Sequence, residues 1–113
     1  MTFQKLIGKQ KLMRIFIGSD DTYDGIPLFK AIVNYCKESG IAGATVIRGI
    51  YGYGSSSIIH SSRSLVLSQD LPVVIEIIDS IEKIEKILPK IEEMIKDTHG
   101  LITLELAEVI KYF

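Results

Sequence analysis

The order of periodic segments most constrains the fold of this chain, because a strand pattern, a helix pattern and a second strand pattern follow one another twice. The first half opens with an apolar strand from Leu12 to Ile17 that Gly18 ends. After a polar turn, apolar residues recur at three- and four-residue spacing from Leu28 to Cys36, which predicts an amphipathic helix. A second strand is predicted from about Gly43 to Tyr53.

The second half repeats this order. Residues 72–78 are apolar enough for a central strand, and Asp79-Ser80 is predicted to cap the following helix. That helix keeps its apolar period from Ile81 to Ile95, and Pro89 is expected to kink it because proline has no backbone donor. A last strand is predicted from Leu101 to Ile110.

The resulting order, βαββαβ, is typical of the ferredoxin-like α+β fold, a four-stranded antiparallel sheet with two helices on one face. With 113 residues, the chain is expected to form one domain over residues 1–113. The strands carry apolar residues on both sides, whereas helices cover only one. Burial of the open face against other copies of the chain therefore predicts a homo-oligomer.

Charge and composition exclude several classes of protein. The 13 Lys and Arg residues are balanced by 14 Asp and Glu residues, so the basic surplus of a nucleic-acid-binding protein is missing. A single cysteine, Cys36, on the apolar stripe of the first helix predicts a core residue and no internal disulfide. Without a secretion signal or a membrane-length apolar run, the chain is expected to be cytoplasmic.

The second predicted strand runs directly into a glycine-spaced loop, which is the best candidate for a binding site. Gly49, Gly52 and Gly54 are expected to allow positive φ angles and to let a ligand approach backbone N–H groups. Arg48 adds a planar donor fork suited to phosphate. The alternative is a bulge or hairpin stem in which these glycines serve backbone geometry alone. Tyr51 and Tyr53 have two open roles, stacking on a purine or packing on a partner subunit.

Neither a catalytic residue nor a metal site is predicted. The serines at 55–57 have only His60 as a local base, and neither His60 nor His99 has neighbouring ligands at metal-binding spacing. The acidic residues before the first helix are interpreted as cap and dipole partners, with Asp24 as the candidate N-cap.

Three segments resemble an uncharacterised family of PII-like proteins. They are the run from Ala42 to Gly54, the run from Asp70 to Asp79, and the helix containing Leu88-Pro89. The resemblance covers nearly the whole chain from about Lys11 onward. It implies a homotrimer of ferredoxin-like subunits in which the loop at about residues 52–71 corresponds to the regulatory T-loop of PII signalling proteins.

In PII proteins an adenine nucleotide occupies the cleft between subunits near the base of the T-loop. The resemblance thus implies a site for ADP, ATP or AMP at Arg48, Gly49, Tyr51 and Gly52, with Tyr53 and Gly54 beside it. It also implies a protein partner such as a membrane transporter or channel, and no catalysis. The short connection at 96–100 departs from the longer phosphate-binding loop of PII proteins, so that part of the site is not transferred. The alternative hypothesis is a homo-oligomeric interaction module that binds no ligand.

Overall fold

The computed structural model describes residues 6–54, 59–61 and 70–112. Four long strands form an antiparallel sheet, and two short pairs of strands lie outside it. The strands are β1 (Gly8–Gly18), β2 (Thr22–Tyr23), β3 (Ile26–Pro27), β4 (Ala44–Arg48), β5 (Tyr51–Gly52), β6 (His60–Ser61), β7 (Pro72–Asp79) and β8 (Leu101–Val109). The main sheet has the order β4-β7-β1-β8. The helices are α1 (Leu28–Glu38) and α2 (Ile81–Ile95).

The core lies between one face of this sheet and the two helices. Residues directly opposite each other in the ladder point to the same face, and Ile15 of β1 is paired with Ile75 of β7. Both side chains are fully buried, as are Ile32 of α1 and Ile84 and Ile91 of α2. The predicted ferredoxin-like α+β fold, with a four-stranded antiparallel sheet and two helices, is confirmed.

The start of α2 is fixed by two polar side chains. Ser80 Oγ accepts a hydrogen bond of 3.2 Å from the Lys83 N–H, which confirms the predicted cap. Asp79 is 1% exposed, and its carboxylate accepts hydrogen bonds from the Ser80 N–H at 2.6 Å and the Ala42 N–H at 2.8 Å. Asp79 thus ties the beginning of α2 to the connection between α1 and β4.

Cys36 belongs to the core, as its place on the helix stripe predicts. It is 1% exposed, and burial raises the pKa of its thiol to about 11. The thiolate that reactive cysteines need is therefore disfavoured at neutral pH.

The turn before α1 differs from the prediction. The helix has Pro27 as its N-cap residue with no side-chain cap bond, so the assignment of Asp24 as N-cap is wrong. Asp24 and Gly25, both with positive φ, instead form the two-residue turn of the β2–β3 hairpin. Asp-Gly is a preferred pair in such turns because both central residues need positive φ.

The second strand is also shorter than predicted. β4 ends at Arg48, and Tyr51–Gly52 pairs with His60–Ser61 in a separate antiparallel ladder. The Gly49 N–H donates a 2.6 Å hydrogen bond to the Pro72 carbonyl, which closes the β4–β7 pairing at this point. The predicted loop at 52–71 therefore begins and ends with described residues, whereas 55–58 and 62–69 lie outside the described part of the chain.

The other face of the sheet is not covered by the helices. At its centre Arg14 donates to Glu76 at 2.8 Å and also forms an ion pair with Glu105. These hydrogen bonds, first that with Glu76, raise the pKa of the guanidinium. Thr45 is opposite Glu76 and Thr103 is opposite Arg14 in the ladder, so a polar row crosses the sheet here. Ile47 and Leu101 lie on the same face and are about half exposed. This surface, called the open face below, combines a charge cluster with exposed apolar side chains.

Candidate functional site

A cavity of about 170 Å³ lies at one end of the sheet, where β1 ends and β7 begins. Its walls come from Phe16–Gly18 on β1, from Asp70–Val73, and from Asp21, Tyr53, Gly54 and His99. Tyr53 and Gly54 belong to the start of the 52–71 segment, and Asp70 and Leu71 belong to its end. The cavity therefore lies between the two ends of the predicted loop.

Hydrogen bonds fix the chain at both sides of this cavity. The Ser19 N–H donates to the Leu71 carbonyl at 2.8 Å, and the Leu71 N–H donates to Ser19 Oγ at 2.9 Å. The end of the 52–71 segment is thereby attached to the turn that follows β1. This turn is ordered in its own right, because the Leu28 N–H donates to the Asp21 carbonyl at 2.8 Å.

Two carboxylates of the cavity wall are held by backbone donors. Asp21 Oδ2 accepts from the Gly18 N–H at 2.8 Å, and Asp70 Oδ1 accepts from the Asp20 N–H at 2.9 Å. Gly18 leaves room for Asp70, because a Cβ at Gly18 would lie only 2.3 Å from Asp70 Oδ1. The acidic residues before α1 thus order the turn beside the cavity, and the helix-cap role predicted for them is wrong.

The cavity brings together only part of the predicted binding residues. Tyr53 and Gly54 line it, whereas Arg48, Gly49, Tyr51 and Gly52 are not among its described walls.

Arg48 is exposed at the end of β4, opposite Val73 in the ladder. Tyr51 and Tyr53 are 66% and 72% exposed, and Ile50 beside them is 72% exposed. The loop base therefore presents one cation and three large, exposed apolar or aromatic side chains.

The glycines of the loop base do not adopt the predicted backbone conformation, and two of them pack against Pro72. Among the described glycines, positive φ occurs at Gly8, Gly25 and Gly40 and not at Gly49, Gly52 or Gly54, so that expectation is wrong. A Cβ at Gly49 would meet Pro72 at 3.2 Å, and one at Gly52 would meet it at 3.3 Å. These two glycines let the loop base pack closely on Pro72. The Gly49 N–H is already bonded to Pro72, so it is not an available donor in this structure.

Gly54 is different, because a Cβ there would meet no atom within 4 Å. Open space next to the cavity is what a ligand needs for close approach to the backbone.

The sequence did not predict Asp21, Asp70, Phe16 and His99 as parts of a binding cavity. They are distant in the chain and meet only when β1, β7 and the end of α2 are assembled. The turn signal at 19–25 was visible in the sequence, but it pointed to a helix cap and not to a cavity wall.

Two further properties concern the described part of the chain. In the described ranges, no group of three or more His, Cys, Asp and Glu side chains is arranged to hold a metal ion. No helix within those ranges is long and apolar enough to cross a membrane.

A model of the family described as "Uncharacterized ACR, COG1993" (DUF190) matches residues 10–109. The chain belongs to this family. A UPF0166 protein of Aquifex aeolicus is 48% identical over 103 residues, covering 90% of this chain and 94% of the relative. A UPF0166 protein of Methanocaldococcus jannaschii is 39% identical, covering 91% and 94%.

Solved structures similar to this DUF190 chain are PII-like proteins, which confirms the resemblance inferred from the sequence. CPII of Thiomonas intermedia, bound to ADP, AMP and bicarbonate, superposes with a TM-score of 0.71 at 14% identity, covering 92% of this chain and 91% of CPII. A protein of Thermus thermophilus named as PII-like and signalling superposes with a TM-score of 0.69 at 25% identity, covering 92% of both chains.

Proposed function

We propose that this DUF190 protein is a PII-like regulator that binds an adenine nucleotide, ADP, ATP or AMP, at the base of its 52–71 loop and signals to a protein partner through that loop. The observation that carries the proposal is the position of the cavity between Tyr53–Gly54 and Asp70–Leu71, the two ends of the loop. A ligand at this place contacts both ends and changes the free energy of the loop conformations it touches.

Two further observations support the proposal. CPII has the same fold over 92% of this chain and is bound to ADP and AMP. Exposed Arg48 supplies a cation at the loop base, and exposed Tyr51 and Tyr53 supply rings for stacking on a base. Gly49 and Gly52 hold the loop base against Pro72, and Gly54 leaves space next to the ligand.

Titration of the nucleotide-stripped protein with ADP, ATP and AMP tests the proposal. We expect saturable binding near one ligand per subunit. Arg48→Ala should weaken binding about tenfold to a hundredfold, because a hydrogen bond to a charged group contributes about 1.5–3 kcal/mol. Isothermal titration calorimetry measures both values. Lys37→Ala, which removes an exposed cation from α1, is the matched control and should bind like the parent protein. Equal affinities of the two variants would remove Arg48 from the site.

We also propose that the protein is a homotrimer and that the open face is buried between its subunits. The open face supports this arrangement, since it exposes Ile47 and Leu101 on the same side of the sheet as the cluster in which Arg14 joins β7 and β8 through Glu76 and Glu105.

Arg14→Glu should dissociate the oligomer, because it places a third carboxylate between Glu76 and Glu105 and like charges repel strongly when water is excluded. Light scattering coupled to size-exclusion chromatography should give a trimer mass for the parent protein and a monomer mass for the variant. Lys111→Glu makes the same charge change at an exposed position off the sheet and should leave the mass unchanged. A monomer mass for the parent protein would contradict the proposed trimer.

The second candidate function is an interaction module that needs no ligand. The exposed apolar side chains of Ile50, Tyr51 and Tyr53 favour it, because such a patch suits a protein partner as well as a base. Capture of a partner that is indifferent to added nucleotide would favour this function, and release of the partner by nucleotide would favour the regulator.

A further inference from the structure

The described walls of the cavity contain two carboxylates and no basic lysine or arginine side chain. Among its described wall residues, the ionisable carboxylates are Asp21 and Asp70, accompanied by the His99 imidazole and the Tyr53 phenol. No lysine or arginine belongs to this described wall. Among the described walls, a phosphate placed here would face two carboxylates and no lysine or arginine, and like charges in a partly enclosed site repel.

Both carboxylates are positioned before any ligand arrives. One oxygen of each is held by a backbone N–H, from Gly18 to Asp21 and from Asp20 to Asp70. An ionised carboxylate offers about four lone-pair sites on two oxygens, so each retains acceptor capacity toward the cavity. Gly18 is required for this arrangement, because a Cβ there would displace the Asp70 carboxylate.

The remaining walls are apolar. Phe16, Leu71 and Pro72 belong to them at the sheet end, and Tyr53 also lines the cavity while most of its surface is exposed. Apolar walls with a few fixed polar groups are typical of sites for small organic molecules, and flat apolar surfaces favour flat rings.

We infer that this cavity receives the amino-bearing edge of a flat nitrogen group, an aminated heterocycle or a guanidinium, and that Asp21 and Asp70 select it by accepting its N–H donors. Any phosphate of the same ligand stays outside the cavity. The choice of a nucleotide as the first probe rests on the proposed function, whereas the selection by carboxylates rests on the cavity alone. The shared chemistry is a planar N–H donor, whether it comes from a purine amine or from a guanidinium.

The first experiment compares AMP with purine riboside 5′-monophosphate, which differs from AMP only by lacking the exocyclic amine. Isothermal titration calorimetry should show AMP binding at least about tenfold more tightly, because removal of the amine leaves a positioned carboxylate without its donor. Asp70→Asn should reduce this preference, since the asparagine oxygen is used by the Asp20 N–H and its amide presents a donor where the ligand also presents one, whereas Asp21 still accepts.

Asp24→Asn is the matched control. It makes the same charge change at an exposed hairpin position that is not part of the described cavity wall, and asparagine tolerates the positive φ found there. This variant should keep the full preference for AMP. Equal binding of the two nucleotides by the parent protein, or an unchanged preference in Asp70→Asn, would overturn the inference while leaving nucleotide binding intact.

A second experiment tests the cavity independently of nucleotide binding. If neither nucleotide binds, the proposed function fails, and methylguanidinium then tests the cavity by itself. Amide chemical shifts of Gly18, Gly54 and Leu71 should change as it is added to the parent protein and to Asp24→Asn, and should change only at higher concentration in Asp70→Asn. No change in the parent protein would overturn the inference.

Discussion

Ile75→Ala should lower the free energy of unfolding by about 2–5 kcal/mol, the usual cost of removing a large buried aliphatic side chain and leaving a cavity. Ile75 is fully buried in β7, next to the fully buried Ile15 of β1 and beneath the helices. Small domains have only about 5–15 kcal/mol of stability in total, so the loss is a large part of it. Chemical denaturation at one fixed protein concentration measures the change, because oligomerisation contributes to apparent stability.

Two further variants provide reference values for the loss of unfolding free energy in Ile75→Ala. Ile75→Val removes one methylene and should cost about 0.5–1.5 kcal/mol. Ile81→Ala removes a side chain that is 38% exposed at the start of α2, where the better helix propensity of alanine partly offsets the loss. A loss for Ile75→Ala no greater than that for Ile81→Ala would show that the core is not organised around β7 as described.

The second large effect is expected when the buried carboxylate of Asp79 is removed. Asp79→Ala leaves the N–H groups of Ala42 and Ser80 without their acceptor, and each unsatisfied buried donor costs about 1–3 kcal/mol. Asp79→Asn keeps one acceptor oxygen and should lose less. Urea unfolding followed by circular dichroism measures all three proteins.

Asp97→Ala removes the same carboxylate from an exposed position after α2 and should change stability by no more than about 0.5 kcal/mol. If Asp79→Ala resembled this exposed control, the N–H groups of Ala42 and Ser80 would have to find water or another acceptor when the carboxylate is removed. The proposed tie between α2 and the α1–β4 connection would then be wrong.

The elements of the fold could be predicted because their signals are local. The apolar period from Ile81 to Ile95 and the cap at Ser80 depend on neighbouring residues in the chain, and the helix has these bounds in the structure. The start of α1 could not be predicted in the same way, since Asp24 suits a cap as well as a hairpin turn. The pairing of β2 with β3 decided between the two.

The candidate site was predicted only in part, for a related reason. A glycine next to a strand signals close approach, but the sequence does not say what approaches. For Gly49 and Gly52 it is Pro72, twenty or more residues away in the chain. Asp21 and Asp70 line the same cavity only because β1 and β7 are neighbours, with Gly18 opposite Pro72 in the register. Long-range pairing of this kind leaves no periodic pattern in either segment.

The bond between the Gly49 N–H and the Pro72 carbonyl, together with the bonds between Ser19 and Leu71, has a consequence for how this chain can vary. These bonds hold residues 49 and 71–72 at the same corner of the sheet, so the chain between them forms a closed loop. As a general rule, doubling the length of a flexible loop raises the entropic cost of closing it by only about 0.6 kcal/mol. Because the described ends are held in this way, we expect the sheet to tolerate changes in the number of residues between Ser61 and Asp70 at little cost. A reporter peptide inserted between these two residues is expected to leave the pairing of β1 with β7 intact.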